Sequence, residues 1–183
     1  EGIWTRFIPA TEKFIELLEQ KVIGDINFMR ADFGYGAEFN PDVRIFNKKL
    51  GGGSLLDIGI YPIYLSMLVL GLPSNIKAMA RMTETEVDSY CAMLFDYENS
   101  KKAILESTIE AETPIEAYIY GTNGYIKLHR RFHHTKKISV HINGKKEKVY
   151  ELDYDGEGLL FEIEEVNRCL LNNETESKKL PLS

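Results

Sequence analysis

From residue 76 to residue 152 the chain repeats one pattern: a short stretch rich in β-branched and aromatic residues, then a turn, then another such stretch. Strands are predicted over 76–82, 87–97, 101–110, 115–120, 125–129, 138–142 and 147–152. Turn residues separate them: Glu98-Asn99-Ser100, Gly121-Thr122-Asn123-Gly124, and Asn143-Gly144, the strongest two-residue hairpin signal in the chain. Consecutive hairpins dictate a large, mostly antiparallel sheet. Helical periodicity brackets this run. Pro9 opens a stretch in which Phe14, Leu17, Leu18 and Val22 recur until Gly24, and Leu159, Ile163, Val166 and Leu170, with Phe161 and Cys169, mark a last helix. A further strand is predicted over 25–35. The pattern reads as an α+β domain with helices on one sheet face, leaving the other face open. Cys91, Met93, Phe95, Ile104 and Tyr118 are the apolar strand residues expected to make that open face a dimer surface.

The most apolar segment runs from Leu50 to Gly71: a triple glycine, Ser54 as N-cap, then a helix stopped by Gly71 and Pro73. Asp57 and Tyr61 stand four residues apart on it, so both can point at one spot from an apolar face. A carboxylate and a phenol there are candidate proton-handling groups. Two structural readings remain open. Ser54 and Asp57 fit the spacing of a capping box, and Tyr61 fits a core tyrosine with Pro62 as a kink.

The 183 residues are 44% hydrophobic, enough for one sizeable core, so a single domain over 1–183 is expected. The net charge of −6 argues against nucleic-acid binding. The basic segments 130–137 and 145–148 read as solvated hairpin faces. Cys91 and Cys169 fit no metal or redox spacing and are expected as buried, reduced thiols of a cytoplasmic protein. Neither a secretory signal nor a membrane span is read; Asp57, Gly59, Pro62 and the tyrosines make the 50–71 segment a poor span. His129, His133, His134 and His141 lack acidic or Cys partners at ligand spacing, so no metal site is assigned.

Taken together, Trp4-Thr5-Arg6-Phe7-Ile8-Pro9, Ile23-Gly24-Asp25, Ala31-Asp32-Phe33, Arg44 ahead of the motif from Leu50 to Tyr61, Tyr120-Gly121-Thr122-Asn123-Gly124, and 158–169 carry a resemblance. The chain resembles the C-terminal domain of the Gfo/Idh/MocA oxidoreductases, and within that family the dihydrodiol dehydrogenase branch. The resemblance implies a substrate-binding and dimerisation domain whose Rossmann, dinucleotide-binding half lies outside this sequence, which contains no Gly-x-Gly-x-x-Gly. It implies NAD or NADP as cofactor, a sugar, polyol or diol as substrate, a homodimer through the open sheet face, and an isolated fragment without activity. Asp57 matches the family's catalytic carboxylate. Tyr61 falls where many members have histidine, and a free phenol, titrating near 10, is a poor base at neutrality without help. Arg44 matches the arginine that reaches the cofactor, or is an ordinary surface arginine. Trp4, Phe33, Phe132 and Phe161 are candidate walls of the substrate pocket, or plain core aromatics.

Two other classes stay in competition. One is a sensor or assembly protein that keeps the domain for ligand binding and dimerisation without turnover. The other is a hydrolase using Asp57 with Asp32 as paired carboxylates.

Overall fold

The computed structural model describes residues 2–156 and 158–181. Eight strands form one sheet in the order β2-β3-β4-β1-β5-β6-β7-β8. They are β1 (Ile26–Gly34), β2 (Asn75–Met82), β3 (Asp88–Asp96), β4 (Lys102–Thr108), β5 (Ala117–Gly121), β6 (Gly124–Leu128), β7 (Lys137–Ile142) and β8 (Lys148–Glu151). Every neighbouring pair is antiparallel except β1 and β4, which run parallel with Ala31 opposite Leu105. A parallel pair needs a crossover, and here it carries the helix α2 (Ile60–Leu70). The sheet is therefore two antiparallel ribbons joined by β1, and α2 packs against β1 and β4 beside that joint.

The core lies between the sheet and its helices. Met29, Ala31 and Phe33 of β1 alternate toward it, together with Leu105, Ile119 and Ile126. Cys91, Met93 and Phe95 also point inward, which corrects their assignment to the open face: the register of β3 on β4 puts them in phase with Ala103, Leu105 and Ser107. Phe28, Met79, Leu94, Ile104, Tyr118 and Tyr120 occupy the open face instead, with Phe28 stacked on Tyr120 at 4.5 Å. Edge strand β2 is exposed along its whole length and carries Lys77 and Arg81, charges that discourage further strand pairing.

Helix α1 (Pro9–Glu19) begins at the expected proline and buries Ala10, Phe14 and Leu17, but it ends before Val22 because the chain turns away through Lys21 at φ 50°. Helix α3 (Leu159–Leu171) rests on the 3-10 turn Trp4–Phe7 rather than on the sheet. Its Leu159, Ile163, Val166 and Leu170 are each more than half exposed, so the periodic apolar positions do not form the core contact expected of them. Cys169 and Glu165 are its buried residues.

Three further expectations are revised. The segment Lys48–Leu70 is long and apolar enough to cross a membrane by length and composition, yet it folds as a 3-10 turn, a glycine loop, a π-helical turn and α2. Residues 143–147 form a longer loop than Asn143-Gly144 suggested, with β8 starting at Lys148. Residues 132, 133 and 135 are buried, so 130–137 is not a solvated hairpin face.

Candidate active site

The site gathers where β1 ends. Phe33 and Tyr35 leave the strand two residues apart, and period-two alternation turns both toward α2. Opposite them the glycine loop delivers the start of the helix. A Cβ on Gly52 would lie 2.6 Å from the carbonyl oxygens of Arg44 and Ile45, and Gly53, at φ 109°, would place one 2.3 Å from Asp88 Oδ1. These glycines permit close packing against the Arg44–Phe46 turn and β3. The expected capping box does not form. Ser54 Oγ donates to Asp88 Oδ2 at 2.6 Å, and the Leu55 amide donates to the same oxygen at 2.8 Å, so the cap comes from another strand. Ser54 is fully buried and also within 3.0 Å of Ser107 Oγ.

Asp57 sits in a π-helical turn, Leu55–Gly59, ahead of α2. Such turns re-aim side chains and recur at functional sites. Its carboxylate accepts from Tyr35 Oη at 3.1 Å and pairs with Arg44 Nη2. Burial, then the negative charge of Asp57, pushes the Tyr35 phenol up to about 12, so Tyr35 stays a proton-bearing donor. The Arg44 guanidinium is held more firmly charged by the same carboxylate. Asp57 and Tyr61 thus have separate partners rather than one shared contact. Tyr61 Oη accepts from Trp4 Nε1 at 3.1 Å. Because the indole only donates, the phenol keeps its own O–H for another acceptor.

Aromatic rings surround that phenol. Phe33 lies 5.5 Å from Tyr61 between ring centroids, and His133 lies 5.0 Å from Tyr61 and stacks on Phe33 at 4.5 Å. Trp4 closes the cluster, 5.9 Å from His133 and 5.3 Å from His134. Of the aromatics expected to line the pocket, Trp4 and Phe33 stand beside Tyr61. Phe132 is 1% exposed and backs Phe33 at 6.4 Å from within the core. Phe161 is removed from the cluster: it meets Tyr154, whose hydroxyl donates to the His134 carbonyl. Phe132 stands in the 3-10 turn Phe132–His134 between β6 and β7, and Phe161 stands on α3.

Sequence reasoning missed Tyr35 and His133. The alternation from Phe33 to Tyr35 could have found the first; nothing local marked the second. The paired-carboxylate reading fails on geometry. Asp32 faces the opposite side of β1 from Phe33, and its oxygens accept from the Ile115 and Glu116 amides. The four histidines do not converge: His129 bonds Ser139 and His141 stacks on Tyr125. Among the described residues no cluster of three or more His, Cys, Asp or Glu could hold a metal ion.

The geometry can be set beside known proteins. The family model of the GFO/IDH/MocA C-terminal domain matches residues 11–127. Trans-1,2-dihydrobenzene-1,2-diol dehydrogenase of Xenopus tropicalis is 36% identical over 193 aligned residues, covering 100% of this chain and 57% of the relative. The Homo sapiens enzyme of that name is 31% identical, with 100% and 56% covered. The chain therefore spans little more than half the length of these curated relatives. Among solved structures, aldose-aldose oxidoreductase from Caulobacter crescentus, complexed with glycerol, superposes with a TM-score of 0.82 at 18% identity, over 93% of this chain and 53% of that one. KijD10, a 3-ketoreductase from Actinomadura kijaniata in complex with NADP and TDP-benzene, gives 0.79 at 22% identity, over 95% and 55%. The structural matches share the fold, the sequence matches extend over the site, and on both counts this chain belongs to the Gfo/Idh/MocA oxidoreductase family through its C-terminal domain.

Proposed function

We propose that the chain is the substrate-binding and dimerisation domain of an NAD(P)-dependent oxidoreductase acting on a CH–OH group or carbonyl of a diol, polyol or sugar. The observation that carries this reading is the Tyr61 phenol, anchored by an indole N–H in an aromatic cluster beside the Tyr35–Asp57–Arg44 chain. The nicotinamide cofactor, when bound, supplies the hydride. In reduction Tyr61 donates its hydroxyl proton to the carbonyl oxygen, and in oxidation it takes the proton back from the alcohol. Trp4 fixes the direction of the phenol. Asp57 holds Arg44, whose side chain is 55% exposed and keeps further N–H donors for phosphate or amide oxygens. That donor set fits a dinucleotide reached from this domain, with the rest of the binding supplied by a Rossmann domain.

The relatives' names support the diol, and the NADP in KijD10 supports the cofactor class. The same reading makes the isolated chain inactive, places the protein in the cytoplasm, where the buried thiols of Cys91 and Cys169 stay reduced, and pairs two copies through the open sheet face. The test uses this chain alone and extended N-terminally by a dinucleotide-binding domain. Tyr61→Phe in the extended protein is expected to cut turnover by roughly 100-fold or more while leaving NADPH and NADH binding, read by quenching of Trp4, within about twofold. Near-normal turnover removes Tyr61 from the chemistry. Tight nucleotide binding by the unextended chain refutes the division of labour.

A further inference from the structure

The three members of the Tyr35–Asp57–Arg44 chain hold one another in a definite order. Tyr35 is tied to the sheet one residue past β1, where its amide donates to the Thr108 carbonyl at 3.1 Å. Arg44 starts the 3-10 turn Arg44–Phe46, against which Gly52 is pressed, and Asp57 rides the π-helical turn Leu55–Gly59. All three backbones are thereby fixed, and the freedom that remains is rotation of the side chains. Tyr35 Oη donates to one carboxylate oxygen, Asp57 Oδ2, at 3.1 Å, and Arg44 Nη2 meets the other, Oδ1. Because a carboxylate is planar and rigid, locking one of its oxygens sets the direction of the second.

The ion pair by itself is a weak clamp. The Arg44 side chain is 55% exposed and that of Asp57 20%, and a pair this open to water gains little against the rotamer entropy of a long side chain. The Tyr35 phenol supplies what the pair lacks. It is partly buried, and burial followed by the Asp57 charge pushes it up to about 12, so it donates at any ordinary pH. We propose that Tyr35 is a positioning residue for nucleotide binding: it locks the Asp57 carboxylate, which then holds Arg44 with its remaining N–H donors aimed at the oxygens of the dinucleotide. The inference rests on the reading of Arg44 given above. Orienting the guanidinium before the nucleotide arrives removes part of the ordering that binding would otherwise have to supply. Asp57 then serves as an anchor between two donors, and proton transfer stays with Tyr61, which is held separately by Trp4.

The test uses the protein extended N-terminally by its dinucleotide-binding domain, with NADPH and NADH as probes. Dissociation constants are measured by calorimetry for Tyr35→Phe, Arg44→Ala and the double variant. Tyr35→Phe is expected to weaken nucleotide binding by about fivefold and Arg44→Ala by about tenfold or more. The double variant should bind no worse than Arg44→Ala alone, because Tyr35 acts through Arg44; a merely structural role would give losses that multiply. In turnover the Tyr35→Phe loss should fall on KM for the nucleotide, whereas that of Tyr61→Phe falls on kcat. Nitrogen NMR reads the guanidinium directly: separate Arg44 Nη resonances are expected in the wild type and averaged ones in Tyr35→Phe. Multiplying losses, or wild-type affinity in Tyr35→Phe while Arg44→Ala weakens binding, overturns the proposal and leaves Arg44 as a nucleotide contact. Wild-type affinity in Arg44→Ala refutes the reading of Arg44 and takes the proposal with it. If Tyr35→Phe does not fold, the wild-type spectrum decides: separate Nη resonances support the lock, and averaged ones overturn it.

Discussion

Removing the Asp88 carboxylate tests how the site is held. Asp88 Oδ2 accepts both from Ser54 Oγ at 2.6 Å and from the Leu55 amide at 2.8 Å, capping from β3 the π-helical turn that carries Asp57. Asp88→Ala leaves the Leu55 amide without its partner and the fully buried Ser54 hydroxyl with only Ser107. A lost N-cap costs about 1 kcal/mol, and a hydrogen bond to a charged group contributes about 1.5–3 kcal/mol. The two bonds share one oxygen and overlap, so a loss of about 2–4 kcal/mol is expected, or roughly 5–12 °C in Tm for a chain of this size. Asp88→Asn keeps a neutral acceptor and should cost about half as much. Urea unfolding and calorimetry supply the stabilities, and a cycle with Ser54→Ala should show coupling of about 1 kcal/mol. Amide exchange at Leu55 should quicken selectively. A Tm for Asp88→Ala within about 1 °C of wild type, or full additivity with Ser54→Ala, refutes the cap.

Glu165 makes a pH prediction. Arg168 and Ser177 hold its carboxyl down to about 2, below its unfolded value. A depressed carboxyl contributes stability that is present above the unfolded pKa, near 4.5, and lost as pH falls toward 2. In Glu165→Gln the Tm difference from wild type should be largest near neutrality and shrink through that window; a difference independent of pH counts against the pairing. Gly121 abuts the Ile23 carbonyl oxygen, 2.2 Å from where a Cβ would lie, so Gly121→Ala should destabilise by about 2 kcal/mol or more in urea. On the open face, proposed above as the pairing surface, wild type should sediment as a dimer and Ile104→Glu as a monomer with little change in unfolding; a monomeric wild type, or a variant with an unchanged sedimentation coefficient, refutes pairing through this face.

Local sequence determined much of this protein. Alternation, hairpin turns and the Pro9 start specify strands and helices through interactions between near neighbours, and the motif from the triple glycine to Tyr61 supplies the carboxylate and the phenol of the candidate site. Cys91, Met93 and Phe95 show where that information ends: period two says that they share a face, and only pairing of β3 with β4 says which face is covered. The same holds at the site. Spacing put Asp57 and Tyr61 together on an ideal helix, but a π-helical turn, a cap from Asp88 and partners at Tyr35, Arg44 and Trp4 decide their environments. Asp32 and Phe33, adjacent in the chain, end on opposite faces of β1, which separates a structural carboxylate from the site. His133 lies in a basic stretch whose composition suggests solvent, and becomes part of the site because the sheet brings residue 133 against residues 4, 33 and 61. Sequence thus determines elements and residue chemistry, which depend on local forces; tertiary structure decides burial and partnership, which depend on contacts between residues far apart in the chain.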